Sequence, residues 1–200
     1  MKNNKPTYLL ILVIHVLLAF AIYTIPFISK IYGLLIPFFG TILIINTKNR
    51  NNEALLVAAY VISSEVLLRM TEGNIAHEIA KYEVIYFLIL GMLYSGTSKN
   101  SLIYTLFILL LIPGIYIGAN VLGHDVNVRK AILFNILGEV TLFVSAIYCY
   151  QRRVNMLQLE YIIKALALPL VSILTYLFLY TPSIKDVVTG TQSNFETSGG

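Results

Sequence analysis

The sequence predicts an all-α membrane protein, a polytopic bundle of about seven transmembrane helices, with no part that reads as a soluble domain. Three observations predict this fold class. Hydrophobic residues form 58% of the chain and charged residues only 12%, whereas a soluble domain is about a quarter charged. The apolar residues are gathered into long runs, and Lys and Arg stand mainly in the short breaks between those runs. A chain this poor in charge is better solvated by lipid than by water.

Seven apolar runs can cross a bilayer, which takes about 20 mostly apolar residues for about 30 Å of hydrocarbon. They cover residues 8–25, 27–45, 54–70, 79–94, 102–117, 131–150 and 159–180. Pro26 is the main division between the first two, so they could also form one apolar hairpin whose turn barely leaves the membrane. Three prolines fall inside runs, Pro37, Pro113 and Pro169. Neighbouring helices can satisfy the carbonyls that proline frees, so we expect kinks there and not helix ends.

The runs also divide the chain into two parts. We expect residues 1–180 to form the amino-terminal part of a larger membrane domain, and residues 181–200 to be a truncated periplasmic loop. The first residues resemble a signal peptide as well, with a basic start, an apolar core and a small-x-small site at Ala19-Phe20-Ala21. The apolar run continues past that site, which favours an uncleaved first helix.

The charges in the breaks predict the orientation. With the amino end in the cytoplasm, the cytoplasmic segments hold seven basic residues: Lys2, Lys5, Lys48, Arg50, Lys99, Arg152 and Arg153. The opposite segments hold the acids Glu72, Glu78, Glu83, Asp125, Asp186 and Glu196 against Lys30, Lys81, Arg129, Lys130 and Lys185. An excess of Lys and Arg on the cytoplasmic side predicts the amino end inside and the carboxyl end outside.

Several other classes of partner are disfavoured. The net charge of +4 does not indicate nucleic-acid binding, because no basic patch is interleaved with aromatic residues. Cys149 is the only cysteine and can form no disulfide within the chain. The segment from His77 to Lys81 has Lys81 where a zinc-protease helix needs its second histidine. We therefore expect neither a metal site nor a cofactor.

Charged residues inside apolar runs are the candidates for function, because each costs about 2.5–3.5 kcal/mol to insert at the centre of a membrane helix. Glu65 and Arg69 are four residues apart, on one helical face and in the favourable order for an ion pair. Such a pair could serve only to let Arg69 reach the interface. Alternatively, Arg69 faces an outer cavity and binds phosphate or a glycan-lipid headgroup, for which its forked guanidinium is suited.

Three further polar features carry weaker hypotheses. Glu139 could be a buried carboxyl that bonds to Asn135, one turn earlier, or to a neighbouring helix. Alternatively, it could be a member of a polar cavity. His15 is expected to be a neutral, packed histidine with one hydrogen bond. The polar segment 71–83 is expected to be an interfacial helix or, alternatively, a loop that faces substrate.

Two passages, taken together, resemble the O-antigen ligase/polymerase-like membrane proteins of the Bacteroidetes type. The first is Ser64-Glu65-Val66-Leu67-Leu68-Arg69-Met70-Thr71, followed by Glu78 and Lys81-Tyr82. The second is Ser193-Asn194-Phe195-Glu196-Thr197-Ser198-Gly199-Gly200, which is similar to the opening of that family's outer-loop motif. Tyr150-Gln151-Arg152-Arg153, before a span that contains proline, fits the same layout.

The resemblance implies a metal-independent glycosyltransferase of the bacterial inner (cytoplasmic) membrane. Such an enzyme transfers a glycan from undecaprenyl diphosphate to a lipid A core, if it is a ligase, or to another repeat unit, if it is a polymerase. The resemblance implies substrate-binding roles for Arg69, Asn194, Gly199 and Gly200, and it assigns no catalytic residue before Gly200. Glu65 joins the predicted substrate-binding residues as the expected ion-pair partner of Arg69. We therefore expect this chain to be an amino-terminal fragment, inactive by itself.

Two other function classes stay open at this stage. A transporter or channel would use Glu65, Arg69 and Glu139 to line a pathway through the membrane. A non-catalytic subunit of a membrane assembly would need no chemistry at all. A transporter would place charge at mid-membrane, often with paired broken helices in two matching halves, whereas most polar residues here fall toward the outer face.

Overall fold

The structure is a computed structural model that describes residues 5–74, 76, 78–122 and 126–180. Within these residues it is all-helical, and no strand is present. Seven α-helices run Lys5–Thr24 (α1), Phe27–Thr47 (α2), Glu53–Met70 (α3), Ile79–Ser95 (α4), Thr105–Leu122 (α5), Val126–Cys149 (α6) and Met156–Leu179 (α7). A short 3-10 helix, Lys99–Tyr104, precedes α5. Each predicted run thus falls on a separate helix, and the prediction of an all-α bundle is confirmed.

Four of the helical segments are long and apolar enough to cross a membrane by themselves. They are Thr7–Thr24, Phe27–Thr47, Lys99–Gly118 and Met156–Leu179. The prediction of seven spans is therefore supported only in part among the described residues. The physical reason lies in the inner helices: α3 carries Glu53, Glu65 and Arg69 within its 18 residues, and α4 is 17 residues long.

The helix ends agree with the predicted boundaries for the first two runs and differ from the prediction after α3. Only Ile25 and Pro26 join α1 to α2, so the first two runs form two helices connected by a very short turn. Pro37, Pro113 and Pro169 lie inside helices, as expected. By contrast, the described residues of 71–78 are not helical. The expectation of an interfacial helix there is wrong for those residues, and α4 begins only at Ile79.

The centre of the bundle is α3, which packs against α2, α4 and α7. Many of its buried residues are small: Ala54, Ala58, Ala59, Ser63 and Ser64. Small side chains let helix backbones approach closely, which is the usual way that helices associate in lipid. The outer faces of α1, α2, α5 and α7 instead carry large exposed apolar side chains, such as Leu110 at 70% and Phe178 at 87%. Water-exposed apolar surface on this scale is rare in soluble monomers, so lipid is the fitting solvent.

The seven helices alternate in direction between two ends of the bundle. We call the end where α1 begins the near end; it includes residues 48–52, 95–99 and 150–155. The far end includes residues 24–27, 71–74, 76 and 78. Contacts at both ends agree with this alternation. Asn49 contacts Gly91 at the near end, and Ser29 contacts Thr71 at the far end.

At the near end, a hydrogen-bonded network around Asn49 joins the helices. The side chain of Asn49 is buried, and the residue is 1% exposed. Its Nδ2 lies 3.0 Å from the Gly91 carbonyl, 3.0 Å from Ser95 Oγ and 2.8 Å from the Tyr148 hydroxyl. Its Oδ1 accepts the backbone N–H of Ala54 at 3.0 Å. One side chain therefore joins the turn between α2 and α3 to both α4 and α6.

Arg152 extends the same network to the loop before α7. Its Nε donates to the Tyr148 carbonyl, its Nη1 to Asn52 Oδ1 and Ser95 Oγ, and its Nη2 to the Gly96 carbonyl. The guanidinium carbon also lies 3.9 Å from the centre of the Tyr148 ring. We call these residues, with Asn49, the near-end network.

Candidate functional site at the far end

The far end positions Arg69 through a tight turn that follows α3. The Thr71 hydroxyl donates to the Leu67 carbonyl at 2.8 Å and also contacts the Ser29 hydroxyl of α2. The Gly73 N–H donates to the Leu68 carbonyl at 2.8 Å. A Cβ added at Gly73 would lie 2.1 Å from Ser29 Oγ, so only glycine allows the turn to pack this closely against α2. The last turn of α3, which carries Arg69, is thereby fixed against its neighbour.

Four charged side chains meet at this end, and we call them the far-end charge cluster: Glu65, Arg69, Glu78 and Lys81. Arg69 Nη2 lies 2.5 Å from Glu65 Oε1 and 3.3 Å from Glu78 Oε1. Lys81 Nζ lies 2.5 Å from Glu78 Oε2. Glu78 therefore bridges the two cations and connects α3 to the start of α4.

The cluster holds two cations and two carboxylates, so it is formally neutral. The side chains are 38% exposed at Arg69, 28% at Lys81, 22% at Glu65 and 10% at Glu78. The cations are thus more accessible than the carboxylates that hold them. Such an arrangement orients two positive groups toward the surface of the bundle.

Arg69 keeps donors available beyond its two ion pairs. Both carboxylate contacts use Nη2, and within the described part of the chain no hydrogen bond is recorded for Nε or Nη1. A guanidinium has five N–H donors in a fixed fork. Arg69 can therefore hold its two carboxylates and still donate to phosphate or hydroxyl oxygens of a ligand.

The structure describes some of the predicted site residues and leaves others outside the described residues. The predicted ion pair between Glu65 and Arg69 is present, whereas the role of both residues in substrate binding stays a prediction. Asn194, Gly199 and Gly200 lie outside the described residues. Glu139 is partly buried on α6, and the side chain of Asn135, its expected partner, also lies outside the described part.

Sequence reasoning missed the bridging role of Glu78. The ion pair of Arg69 with Glu65 follows from helical spacing, but Glu78 reaches Arg69 across a turn whose path no spacing rule gives. His15 is buried, as expected, at 7% exposed. It has two hydrogen-bond contacts and not one, since Nδ1 lies 2.9 Å from the Ile11 carbonyl and Nε2 lies 3.0 Å from the Tyr60 hydroxyl.

No protein-family model, curated protein or solved structure matches this chain. The resemblance to the O-antigen ligase/polymerase-like proteins therefore remains a prediction from the motif residues alone.

Proposed function

We propose that this chain is the amino-terminal part of a glycosyltransferase of the bacterial inner membrane, which transfers a glycan from undecaprenyl diphosphate to an acceptor glycan or lipid A core. The observation that carries the proposal is the placement of Arg69. This guanidinium lies at one end of a lipid-exposed bundle, is oriented by Glu65 and Glu78, and keeps donors available. A diphosphate at the membrane surface is a fitting ligand for such a group.

The proposed chemistry asks little of the protein beyond binding and positioning. The acceptor hydroxyl attacks the anomeric carbon of the donor glycan, and the bond from that carbon to the diphosphate oxygen breaks. Polyprenyl diphosphate leaves with the bonding electrons, and a base takes the proton of the hydroxyl. Arg69 would stabilise the charge that develops on the departing diphosphate, which is where fixed positive groups contribute most to rate.

The proposal includes seven spans, with the near end cytoplasmic and the far end periplasmic. Two observations support it. Lys and Arg of the breaks favour the near end, as described above. The helices α3 and α4 extend between the same two ends as α2, since α4 contacts Asn49 at one end and α3 at the other. Burial among their neighbours lets them cross with lower hydropathy than an isolated span needs.

A cysteine-labelling experiment tests this topology. In a Cys149→Ser background, Glu72→Cys and Arg153→Cys place one thiol at an exposed site of each end. We expect a membrane-impermeant maleimide to label Glu72→Cys in intact cells, and to label Arg153→Cys only after the membrane is opened. Labelling of both, or of Arg153→Cys alone, in intact cells would contradict the orientation.

The enzymatic proposal is tested in the native gene. We expect its deletion to cause lipid-linked glycan to accumulate while the mature envelope polysaccharide is lost, as seen on gels. Arg69→Gln should cause the same loss of polysaccharide. Arg69→Lys should keep only part of the polysaccharide, because lysine lacks the forked guanidinium. Lys164→Gln is a matched control, since Lys164 also pairs with a glutamate four residues earlier, at 2.5 Å. An unchanged amount of mature polysaccharide in the deletion strain would contradict the proposal.

A further inference from the structure

A cleft opens between α1, α2 and α3, away from the far-end charge cluster. Its volume is about 350 Å³, within the range of about 300–1,000 Å³ that is typical of small-molecule sites. Most of its lining is apolar: Ile14, Leu18, Leu35, Ile36, Phe39, Leu43 and Val57. The cleft exists because α1 packs mainly against α7 and makes little contact with α2.

Three polar side chains line one part of this cleft and form a single chain of hydrogen bonds. His15 Nδ1 lies 2.9 Å from the Ile11 carbonyl, and His15 Nε2 lies 3.0 Å from the Tyr60 hydroxyl. The Tyr32 hydroxyl donates to the Tyr60 hydroxyl at 2.9 Å. We call these three side chains the cleft triad.

The chemistry of the partners fixes the direction of this chain. A backbone carbonyl only accepts, so His15 Nδ1 must carry a hydrogen that it donates to Ile11. In a neutral imidazole the other nitrogen is then an acceptor. Nε2 consequently accepts the Tyr60 O–H, and the Tyr60 oxygen accepts the Tyr32 O–H.

This direction leaves the triad with acceptors only. Every N–H and O–H of the triad already has a partner, while the two phenolic oxygens retain lone pairs. A carboxylate, a phosphate or a quinone carbonyl would find no donor here. An amine cation would find no carboxylate among the residues that line the cleft. The group that fits is an uncharged hydroxyl, which can donate to Tyr32 or Tyr60.

The remainder of the cleft fits an apolar chain that enters from the bilayer. Its lining residues Ile14, Leu35 and Phe39 are exposed at 52%, 42% and 60% on helices that are candidate spans. At 1.5 Å per residue, Tyr32 lies about 8 Å along α2 from its first residue and Leu43 about 24 Å along it. His15 and Tyr60 lie near the middle of α1 and α3, and the Tyr32 hydroxyl reaches the Tyr60 hydroxyl. The polar groups of the cleft triad therefore lie near mid-depth, and the apolar part extends from them toward the near end.

We propose that this cleft binds a long-chain membrane alcohol, with its hydroxyl on the cleft triad and its chain along Leu35, Phe39 and Leu43. The site does not depend on the glycosyltransferase proposal, because it uses none of the residues of the far-end charge cluster. It would recognise an uncharged lipid by one hydrogen bond and by the shape of a single chain.

Photolabelling in nanodiscs tests this proposal with a matched pair of probes. The first probe is a long-chain alcohol with a diazirine in its chain, and the second is the methyl ether of the same molecule, which has no donor. We expect the alcohol to label peptides of α1 and α2 at least tenfold more than the ether does. Equal labelling by the two probes would overturn the proposal, because the cleft would then accept any apolar chain.

Two variants sharpen the test. Tyr32→Phe with Tyr60→Phe and His15→Leu removes both phenolic oxygens and the acceptor nitrogen Nε2, so this triple variant should lose the preference for the alcohol. Leu35→Trp fills the cleft from an exposed position and should abolish labelling of α1 and α2 by either probe, even if the triple variant folds poorly. Tyr116→Phe, at an exposed position of α5, is the control that should change nothing. Undiminished labelling of Leu35→Trp would place the probe outside the cleft and overturn the proposal.

Discussion

The helices are joined by different kinds of interaction at the two ends of the bundle. At the near end, neutral amides, a phenol and one arginine are linked by directional hydrogen bonds around a side chain that is 1% exposed. At the far end, four charges are linked by ion pairs, and the side chain of Arg69 is 38% exposed. The centre of the near-end network is buried, whereas the far end presents its cations to the surface.

This difference predicts where stability and function reside. A complete buried polar network stabilises the fold. Loss of one member is costly, because its former partners are left buried without hydrogen bonds. An exposed ion pair contributes about 0–1 kcal/mol, so its partners can be exchanged for a ligand at little cost. We therefore expect substitutions within the near-end network to lower the free energy of unfolding, and substitutions in the far-end charge cluster to alter binding with little effect on folding.

The largest effect is expected for Asn49→Ala. The substitution removes the acceptor of the Ala54 N–H and the donor shared by Gly91, Ser95 and Tyr148. Buried polar groups that lose their partners cost about 1–3 kcal/mol each, and alanine also tolerates poorly the φ of 51° at this position. We expect the free energy of unfolding to fall by about 3 kcal/mol. This is less than the sum over all the lost partners, because the neighbouring side chains can adjust locally.

Unfolding of the purified protein by SDS titration, followed by circular dichroism, measures this loss. Asn51→Ala is the control, because Asn51 lies in the same turn but is exposed and bonds only to Glu53 in the described structure. We expect its effect to stay below about 1 kcal/mol. Equal effects of the two substitutions would refute the central role of Asn49.

Gly91→Ala tests the close packing that brings α4 to the same network. A Cβ at Gly91 would lie 2.6 Å from the Ala54 Cβ and 2.9 Å from both Asn49 Nδ2 and the Tyr148 ring. Overpacking of this kind costs about 1–3 kcal/mol. Gly114→Ala is the matched control, since nothing lies within 4 Å of its added Cβ. A stable Gly91→Ala variant would show that α4 can move away from α3 without penalty.

Arg152→Lys separates the geometry of the near-end network from its charge. Lysine keeps the positive charge but cannot reach Asn52, Ser95 and Gly96 with one planar group. Because Arg152 is only half-buried, we expect a loss of about 1–2 kcal/mol in unfolding free energy. The adjacent Arg153→Lys, at an exposed position, should change stability by less than about 0.5 kcal/mol. A similar result for both would mean that charge alone matters at this end.

The sequence predicts the far end better than the near end, and the reason is physical. Glu65 and Arg69 are separated by one helical turn, and a local periodicity is sufficient to pair them. Asn49 meets Tyr148, 99 positions away, and only the packing of α3, α4 and α6 brings these residues together. Arg152 is recognisable in the sequence as a charge that reports topology, but its contacts with Asn52, Ser95 and Gly96 are not.

The apolar runs predict all seven helices because lipid selects for length and hydropathy, which are local properties. The cleft triad is different, since His15, Tyr32 and Tyr60 come from three helices and none stands out by spacing. A histidine within a span indicates only that one polar group needs a partner. Which partner it finds depends on how far α1 and α2 separate, and that is decided by the packing of α1 on α7.

The smallest effect is expected for the ion pair of the far end, measured by a double-mutant cycle of Glu65→Gln and Arg69→Gln. Exposed pairs at this helical spacing contribute about 0.3–0.5 kcal/mol. Loss of Glu65 leaves Arg69 paired with Glu78 at 3.3 Å, which should lower the measured coupling further. The same cycle at Glu160 and Lys164, also 2.5 Å apart, provides the reference, because no second carboxylate is recorded at Lys164 among the described residues. We expect the coupling at Glu65 and Arg69 to be no larger than this reference, and to fall as salt is raised. A coupling above about 2 kcal/mol would mean that the far-end charge cluster is as rigid as the near-end network, and Arg69 would then not be poised to accept a ligand.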